Sequence, residues 1–247
     1  MKKFWFLYSV GAYLAGLGVL VYMVFWLYPW PWMPATIDSG EASLPLWAAV
    51  AADVALVALF GLQHSLMVRP RFKAWMARFV PPEAQRATYT YASALVLLIL
   101  LLFWQPIPEP RLWAFEKGVG YWTATALYFL GWSAAVAATF QIDHFELFGL
   151  HQAWRALRGL PEPPETFQER GLYRYVRHPI QAGTLLGLWA TPVMSPGHLL
   201  FAAAFTLYVL IGLKYEERDL LRTLGEEYAD YRRRVPMLIP FMRKRKA

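Results

Sequence analysis

The sequence predicts an all-α polytopic membrane protein, and three observations carry that prediction. Apolar residues make up 57% of the 247 residues and charged residues 17%, against about 25% charged in soluble domains. Long runs carry no charge: Phe4 to Trp30 has none, and a spanning helix needs roughly 20 such residues. Basic residues crowd into alternate connecting segments. The expected architecture is about five to six transmembrane segments, the last two a tight helical hairpin, followed by a C-terminal cytoplasmic amphipathic helix.

Six apolar segments are read in order, at about 4–28, 45–66, 88–104, 119–140, 180–194 and 198–213. Lys2 and Lys3 precede the first, as in a signal peptide. That apolar core would be roughly 7–15 residues with a small-residue cleavage site, whereas this run is longer and ends in Tyr28-Pro29-Trp30-Pro31-Trp32. It reads as a retained helix. The last two segments are short and joined by Ser195-Pro196-Gly197, a turn signal. Between the fourth and fifth lies a long segment with its own helical pattern over Phe145 to Leu157 and a break at Pro161-Glu162-Pro163-Pro164. Long ordered loops are usually functional. The chain accordingly divides into a four-helix transmembrane region, 1–140, and a C-terminal module, 141–247.

The net charge is +7, and its distribution explains it. Arg69, Arg71, Lys73, Arg78 and Arg86 occupy 67–87, and Arg155, Arg158, Arg170, Arg174 and Arg177 occupy 141–178. The tail ends Arg243-Lys244-Arg245-Lys246. Residues 29–44 hold no Lys or Arg, and in 105–118 Arg111 and Lys117 are offset by Glu109 and Glu116. The positive-inside rule then puts both termini and both basic loops in the cytoplasm. Trp26, Tyr28, Trp30, Trp32, Trp104, Trp113, Tyr121 and Trp122 gather at segment ends, as an interfacial belt requires. The basic residues belong to topology, so no nucleic-acid partner is expected; the bilayer is. Nothing in the sequence sets the oligomeric state.

There is no cysteine, which excludes disulfides, Cys-ligated metal and a Cys nucleophile. The five histidines show no metal-binding spacing, and no metal is expected.

The densest constellation is Gly171-Leu172-Tyr173-Arg174-Tyr175-Val176-Arg177-His178-Pro179. Proline favours the first turn of a helix, so Pro179 opens the fifth segment, and the N–H groups at that start favour an anionic ligand. Arg177 and His178 stand beside them as donors. Further on, Leu221, Leu224, Tyr228 and Tyr231 share one face of a helix, with Glu217 on that face and Glu216 at its margin. A carboxylate on a buried stripe needs a partner. A protein Arg or a ligand cation would satisfy it, and an amino-acid ligand would bring an ammonium for Glu217 and a carboxylate for Arg177 or the helix start.

Arg177-His178-Pro179, a hairpin, Glu216-Glu217, Gly225-x-x-Tyr228-x-x-Tyr231 and Val235-Pro236-x-Leu238-Ile239-Pro240 together resemble the isoprenylcysteine carboxyl methyltransferase superfamily. Gln63-His64-Ser65-Leu66-Met67-Val68-Arg69-Pro70, Arg86-Ala87-Thr88-Tyr89 and Asp143-His144-Phe145-Glu146-Leu147-Phe148-Gly149-Leu150 resemble its NnrU-like branch, and within it the bacterial methanethiol S-methyltransferases. The resemblance implies an inner-membrane enzyme with its site on the cytoplasmic side, taking a methyl group from S-adenosyl-L-methionine and giving it to a small thiol, methanethiol to dimethyl sulfide. It implies a cofactor-binding set of Tyr173, Val176, Arg177, His178, Pro179, Gln181, Gly183, Glu216 and Glu217. Gln181 departs from the superfamily, which commonly has an aromatic residue there. Deprotonating the thiol needs a neutral His or a carboxylate, and His144 and His151, flanking Glu146, are the candidates, with His64 a third and Arg177 beside the reacting groups. Three other functions remain open: a prenylated or lipid-like acceptor, a nicotinamide-dependent reductase, and a non-catalytic membrane protein. The paired carboxylates speak against the reductase, because they repel a 2′-phosphate.

Overall fold

The computed structural model describes residues 1–163 and 167–241. Pro164 and the basic run Arg243 to Lys246 lie outside the described residues. Among the described residues ten helices follow in order: α1 Lys2–Trp26, α2 Leu46–Met67, α3 Pro70–Met76, α4 Pro82–Phe103, α5 Val119–Ile142, α6 His144–Leu147, α7 Leu150–Arg158, α8 Pro179–Trp189, α9 Pro196–Leu224 and α10 Glu226–Arg234. A 3-10 turn, Gly171–Arg174, precedes α8, and two short strands, β1 Trp113–Ala114 and β2 Val193–Met194, pair antiparallel. Among the described residues α1, α2, α4, α5 and α9 are long and apolar enough to cross a membrane. The chain is an all-α multi-pass membrane protein.

Two compact units make up the fold. The first comprises Met1–Leu112, the stretch from Asp143 through α7, and Ser195–Phe201. Its centre is α4, with α1 and α2 packed on it. Small residues set the approach of α1: a side chain on Gly16 would meet Thr90 Cγ2 at 2.8 Å, and Tyr8 Oη lies 3.1 Å from Thr88 Oγ1. Asp53, fully buried in α2, accepts from the backbone N–H of Gln105 at 2.8 Å, so it ties α2 to the end of α4. α4 starts six residues before the apolar run, because Pro82 and Glu83 supply a first turn that needs no apolar residue.

The second unit holds Trp113–Ile142, the stretch from Phe167 to Met194, and that from Ala202 to Phe241. α8 runs antiparallel to α5. Leu172 N donates to Gln141 Oε1 at 2.7 Å at one end, and β2 pairs with β1 at the other. The helical part is shorter than expected, since Pro192 bars Thr191 from the α region and α8 stops at Trp189. Extended chain follows α8 into β2, and its backbone groups find partners. Phe115 N donates to Pro192 O at 3.0 Å, and Trp113 Nε1 donates to Thr191 O at 3.0 Å.

Two further expectations are corrected. The fourth-to-fifth connection carries two helices instead of one pattern, because Gly149 takes a φ of +89° where a side chain would strike Ala87. The helix expected to carry Leu221, Leu224, Tyr228 and Tyr231 on one face is divided in two. α9 is continuous through Leu224, and the break falls at Gly225, whose φ is +57°. Tyr228, Tyr231 and Val235 then fold back onto Leu220, Leu221, Leu224 and Phe167, so the expected apolar face forms across a turn.

Candidate active site

The Arg-His-Pro segment is held by the chain on both sides of it. Gly171 lies against the Gln141 side chain at φ +55°, a backbone conformation that favours glycine. Arg177 N donates to Pro236 O at 2.9 Å and His178 N to Met237 O at 3.1 Å. Tyr231 donates its hydroxyl to Tyr173 O at 2.6 Å. The Val-Pro-x-Leu-Ile-Pro tail therefore serves as a backbone partner for residues 177 and 178. Pro179 opens α8 with His178 at its N-cap.

A charged hub sits against this segment. Arg177 and Glu217 are 6% and 7% exposed. Arg177 Nε donates to Glu217 Oε1 at 2.7 Å and Nη2 reaches the same oxygen at 2.5 Å. Nη1 donates to Arg232 O at 3.2 Å and to Val235 O. His178 Nε2 lies 3.3 Å from Glu217 Oε1, and Arg232 Nε lies 3.3 Å from Oε2. The buried carboxylate is thus satisfied by a protein arginine, one of the two partners expected for it. Such a pair holds only when its remaining donors are also matched, and the two carbonyls supply that.

Around the hub, Glu216 keeps 49% of its side chain exposed, 3.9 Å from His178 Nδ1. Burial pushes the Tyr173 hydroxyl up to about 12, with Glu216 adding to the effect. Burial likewise pushes Tyr228 to about 12, with Glu217 contributing. Both are neutral hydroxyls at physiological pH. Val176 is buried beside Arg177, and Gln181 is half-buried in the first turn of α8. Gly183 has a packing reason of its own: a Cβ there would lie 2.5 Å from Gly131 O and 2.6 Å from Ala135 N in α5. Sequence reasoning missed Arg232. Its signal was faint, one of three consecutive arginines at the end of α10.

The histidine candidates lie in the first unit. Asp143 follows directly on α5 with a φ of +134°. Its Oδ1 accepts from Glu146 N at 3.0 Å, capping α6, and its Oδ2 accepts from His151 Nδ1 at 2.9 Å. Glu146 is held by both terminal nitrogens of Arg155, at 2.7 and 2.8 Å. His144 is buried, its Nε2 3.1 Å from the Tyr13 hydroxyl and its ring edge-on to Tyr13 and Phe145. Burial holds His144 below its ordinary range, so it is neutral at pH 7. His64 has Tyr89 Oη 2.5 Å from Nε2 and Ser93 Oγ 3.3 Å from Nδ1. Ligand atoms of Asp143, Glu146 and His151 lie within 4.8 Å of one another, close enough for a cation. Their oxygens already accept from Glu146 N, His151 and Arg155, so protein donors account for the cluster.

The structure thus brings Tyr173, Val176, Arg177, His178, Pro179, Glu216 and Glu217 together in the second unit, and His144 and His151 together around Asp143 in the first.

Comparison with known proteins follows the same lines. A family model described as NnrU protein matches residues 54–236. The chain is similar to Methanethiol S-methyltransferase 2 of Bradyrhizobium diazoefficiens, 48% identical over 215 residues, covering 86% of this chain and 82% of that protein. It is similar to Methanethiol S-methyltransferase of Mycobacterium tuberculosis, 46% identical over 209 residues, 85% of each chain. Nurim of Homo sapiens is 32% identical over 198 residues, 76% of this chain and 72% of its own. No solved structure matches.

Proposed function

The chain belongs to the NnrU protein family, and we propose that it is a membrane methyltransferase that methylates methanethiol to dimethyl sulfide with S-adenosyl-L-methionine as donor. One observation carries this reading: 48% identity, over most of both chains, to a protein named for that activity. The second unit offers groups that suit the donor. Its amino-acid end needs an anion for the ammonium and hydrogen-bond donors for the carboxylate. Glu216, half-exposed beside His178, supplies the first, and the N–H groups at the start of α8 the second. Arg177 and Glu217 act one step back, by fixing the His178-Pro179 backbone to the tail.

When bound, the donor supplies an electrophilic methyl on a sulfonium. The protein's contribution is to align the thiol with it and to keep water from the thiolate. Sulfonium and thiolate become neutral thioethers, so a pocket of low dielectric favours the transition state. The thiol must also lose its proton, and His144 and His151 are the candidate acceptors. The membrane is a bacterial inner membrane with both termini, the basic segments and the donor site on the cytoplasmic side, in accord with the distribution of Lys and Arg.

Purified protein given methyl-labelled donor and a thiol panel tests the reading. Methanethiol should be methylated. Ethanethiol should be about 10-fold slower and not excluded, since one methylene contributes only about 1–3 kcal/mol of discrimination. Labelling of a farnesyl-cysteine analogue with none of methanethiol would replace the acceptor with a lipid-like one.

A further inference from the structure

We infer that the connection between α2 and α4, built on α3, is an in-plane anchor that binds the headgroups of anionic phospholipids. Every residue of it belongs to the first unit, and it stands apart from the methyl-transfer reading. α2 and α4 are both long and apolar enough to cross the membrane, and they pack on each other. Near the end of α2, Gln63 Nε2 donates to Ser93 Oγ at 3.4 Å and His64 Nε2 lies 2.5 Å from Tyr89 Oη. Towards the start of α2, Asp53 meets Gln105, just beyond α4. The two helices are therefore antiparallel. The end of α2 and the start of α4 share one side of the bilayer, and α3 lies at its boundary.

The chemistry of the connection suits that boundary. Between Val68 and Pro82 the chain carries Arg69, Arg71, Lys73 and Arg78, with no Asp or Glu. Arg71, Lys73 and Arg78 are exposed, and none of the three is ion-paired among the described residues. Phe72, Trp75 and Phe79 form an aromatic row, with ring centroids 5.2 and 5.6 Å apart. Val80 N donates to Met76 O at 2.9 Å, which carries the helical turn past the end of α3. Met76 is buried, whereas Trp75 is 52% and Phe79 71% exposed. At about 100° per residue, Arg71 and Arg78 fall along one margin of the aromatic row and Lys73 beyond the other. Rings that seat among the acyl ends, with cations reaching outward from both margins, make an interfacial helix. A zwitterionic headgroup brings its own cation to its phosphate. Positive charges with no acid among them therefore favour a headgroup of net negative charge, by about 5-fold for each Lys or Arg.

Hydrogen exchange tests this on the full chain. α3 has seven residues, too few for a helix to be stable by itself. Its amides exchange through local opening, and a ligand held only by the closed form slows them. The protein is placed in lipid discs of phosphatidylcholine alone and of phosphatidylcholine mixed with phosphatidylglycerol. Amides over 73–80 should exchange at least about 10-fold more slowly in the mixed discs at low salt. The difference should shrink towards 1 M salt, where the Debye length is about 3 Å. The combined variant Arg71→Gln, Lys73→Gln, Arg78→Gln should abolish it, whereas Arg71→Lys with Arg78→Lys should keep it, because charge is what is recognised. Amides of α2 serve as the internal reference for an intact fold. Equal exchange in the two discs, or a difference that survives the triple substitution, overturns the inference. Equally strong protection in both discs would assign the face to neutral lipid or to a second copy of the chain, and overturns it too. No arm contains donor or thiol, so the outcome stands or falls separately from the proposed activity.

Discussion

Arg177 and Glu217, 40 positions apart, meet through Nε and Oε1 at 2.7 Å in a site shielded from solvent, and they join the Arg-His-Pro segment to the end of α9. Removing one partner leaves the other charge buried and unmatched, which costs about 3–5 kcal/mol. Glu217→Gln should therefore lower the midpoint of thermal unfolding by at least about 6 °C. Arg177→Lys should be nearly as harmful, because a single ammonium cannot reach Glu217 and the carbonyls of Arg232 and Val235 together. Scanning fluorimetry in detergent measures both. A Glu217→Gln protein as stable as wild type would mean that the hub is not what holds the segment.

Glu216 should behave differently. Its side chain is half-exposed and its contact with His178 is 3.9 Å long, so stability should hardly depend on it. If it receives the ammonium of the donor, Glu216→Gln removes a charge-assisted hydrogen bond of about 1.5–3 kcal/mol. Affinity for S-adenosyl-L-methionine should then fall by roughly 10- to 150-fold, with the unfolding midpoint unchanged. Calorimetry reads the first and fluorimetry the second. Unaltered affinity would move the ammonium elsewhere.

What the sequence disclosed follows from which forces are local. Spanning helices are written in composition, so the uncharged run from Phe4 gave α1 almost to its ends. Glu217 was legible as a buried carboxylate because a helical face can be counted along the chain. Its partner was not, since two solutions, an arginine or a ligand, leave the same pattern. Gly183 was assigned to the donor by resemblance, while its contact with Gly131 depends on two helices that periodicity cannot dock. The early end of α8 was readable from Pro192 but was outweighed by the apolar run around it. The link from Asp143 to His151 depends on a backbone conformation at residue 143 that no propensity favours.

The α5–α8 contact gives a sharp stability test. A Cβ on Gly183 would lie 2.5 Å from Gly131 O and 2.6 Å from Ala135 N, both backbone atoms that cannot turn aside. Gly183→Ala should force the helices apart and cost about 1–3 kcal/mol, despite alanine's better helix propensity. Gly212, in α9 with open space around its Cβ position, is the control, and Gly212→Ala should be neutral or stabilising. Equal midpoints for the two variants would contradict the close packing.

The last expectation concerns acid. Burial holds His144 below its ordinary range, so between its unfolded value of about 6.5 and its lower folded value the unfolded chain binds more protons than the folded one. Stability must then rise with pH across that window. The contribution is fully present above about pH 6.5 and is lost as pH falls through the folded value. Acidification should lower the unfolding midpoint of the wild type more steeply than that of His144→Gln, which can still accept from Tyr13 but does not titrate. Asp143, also held low, loses its contribution further down, at and below its ordinary carboxylate range, and does so in both proteins. The difference between the two curves between pH 7.5 and pH 5 therefore isolates His144. Parallel curves would show that the ring is already free to charge in the folded protein, and that its burial against Tyr13 and Phe145 does not exclude the proton.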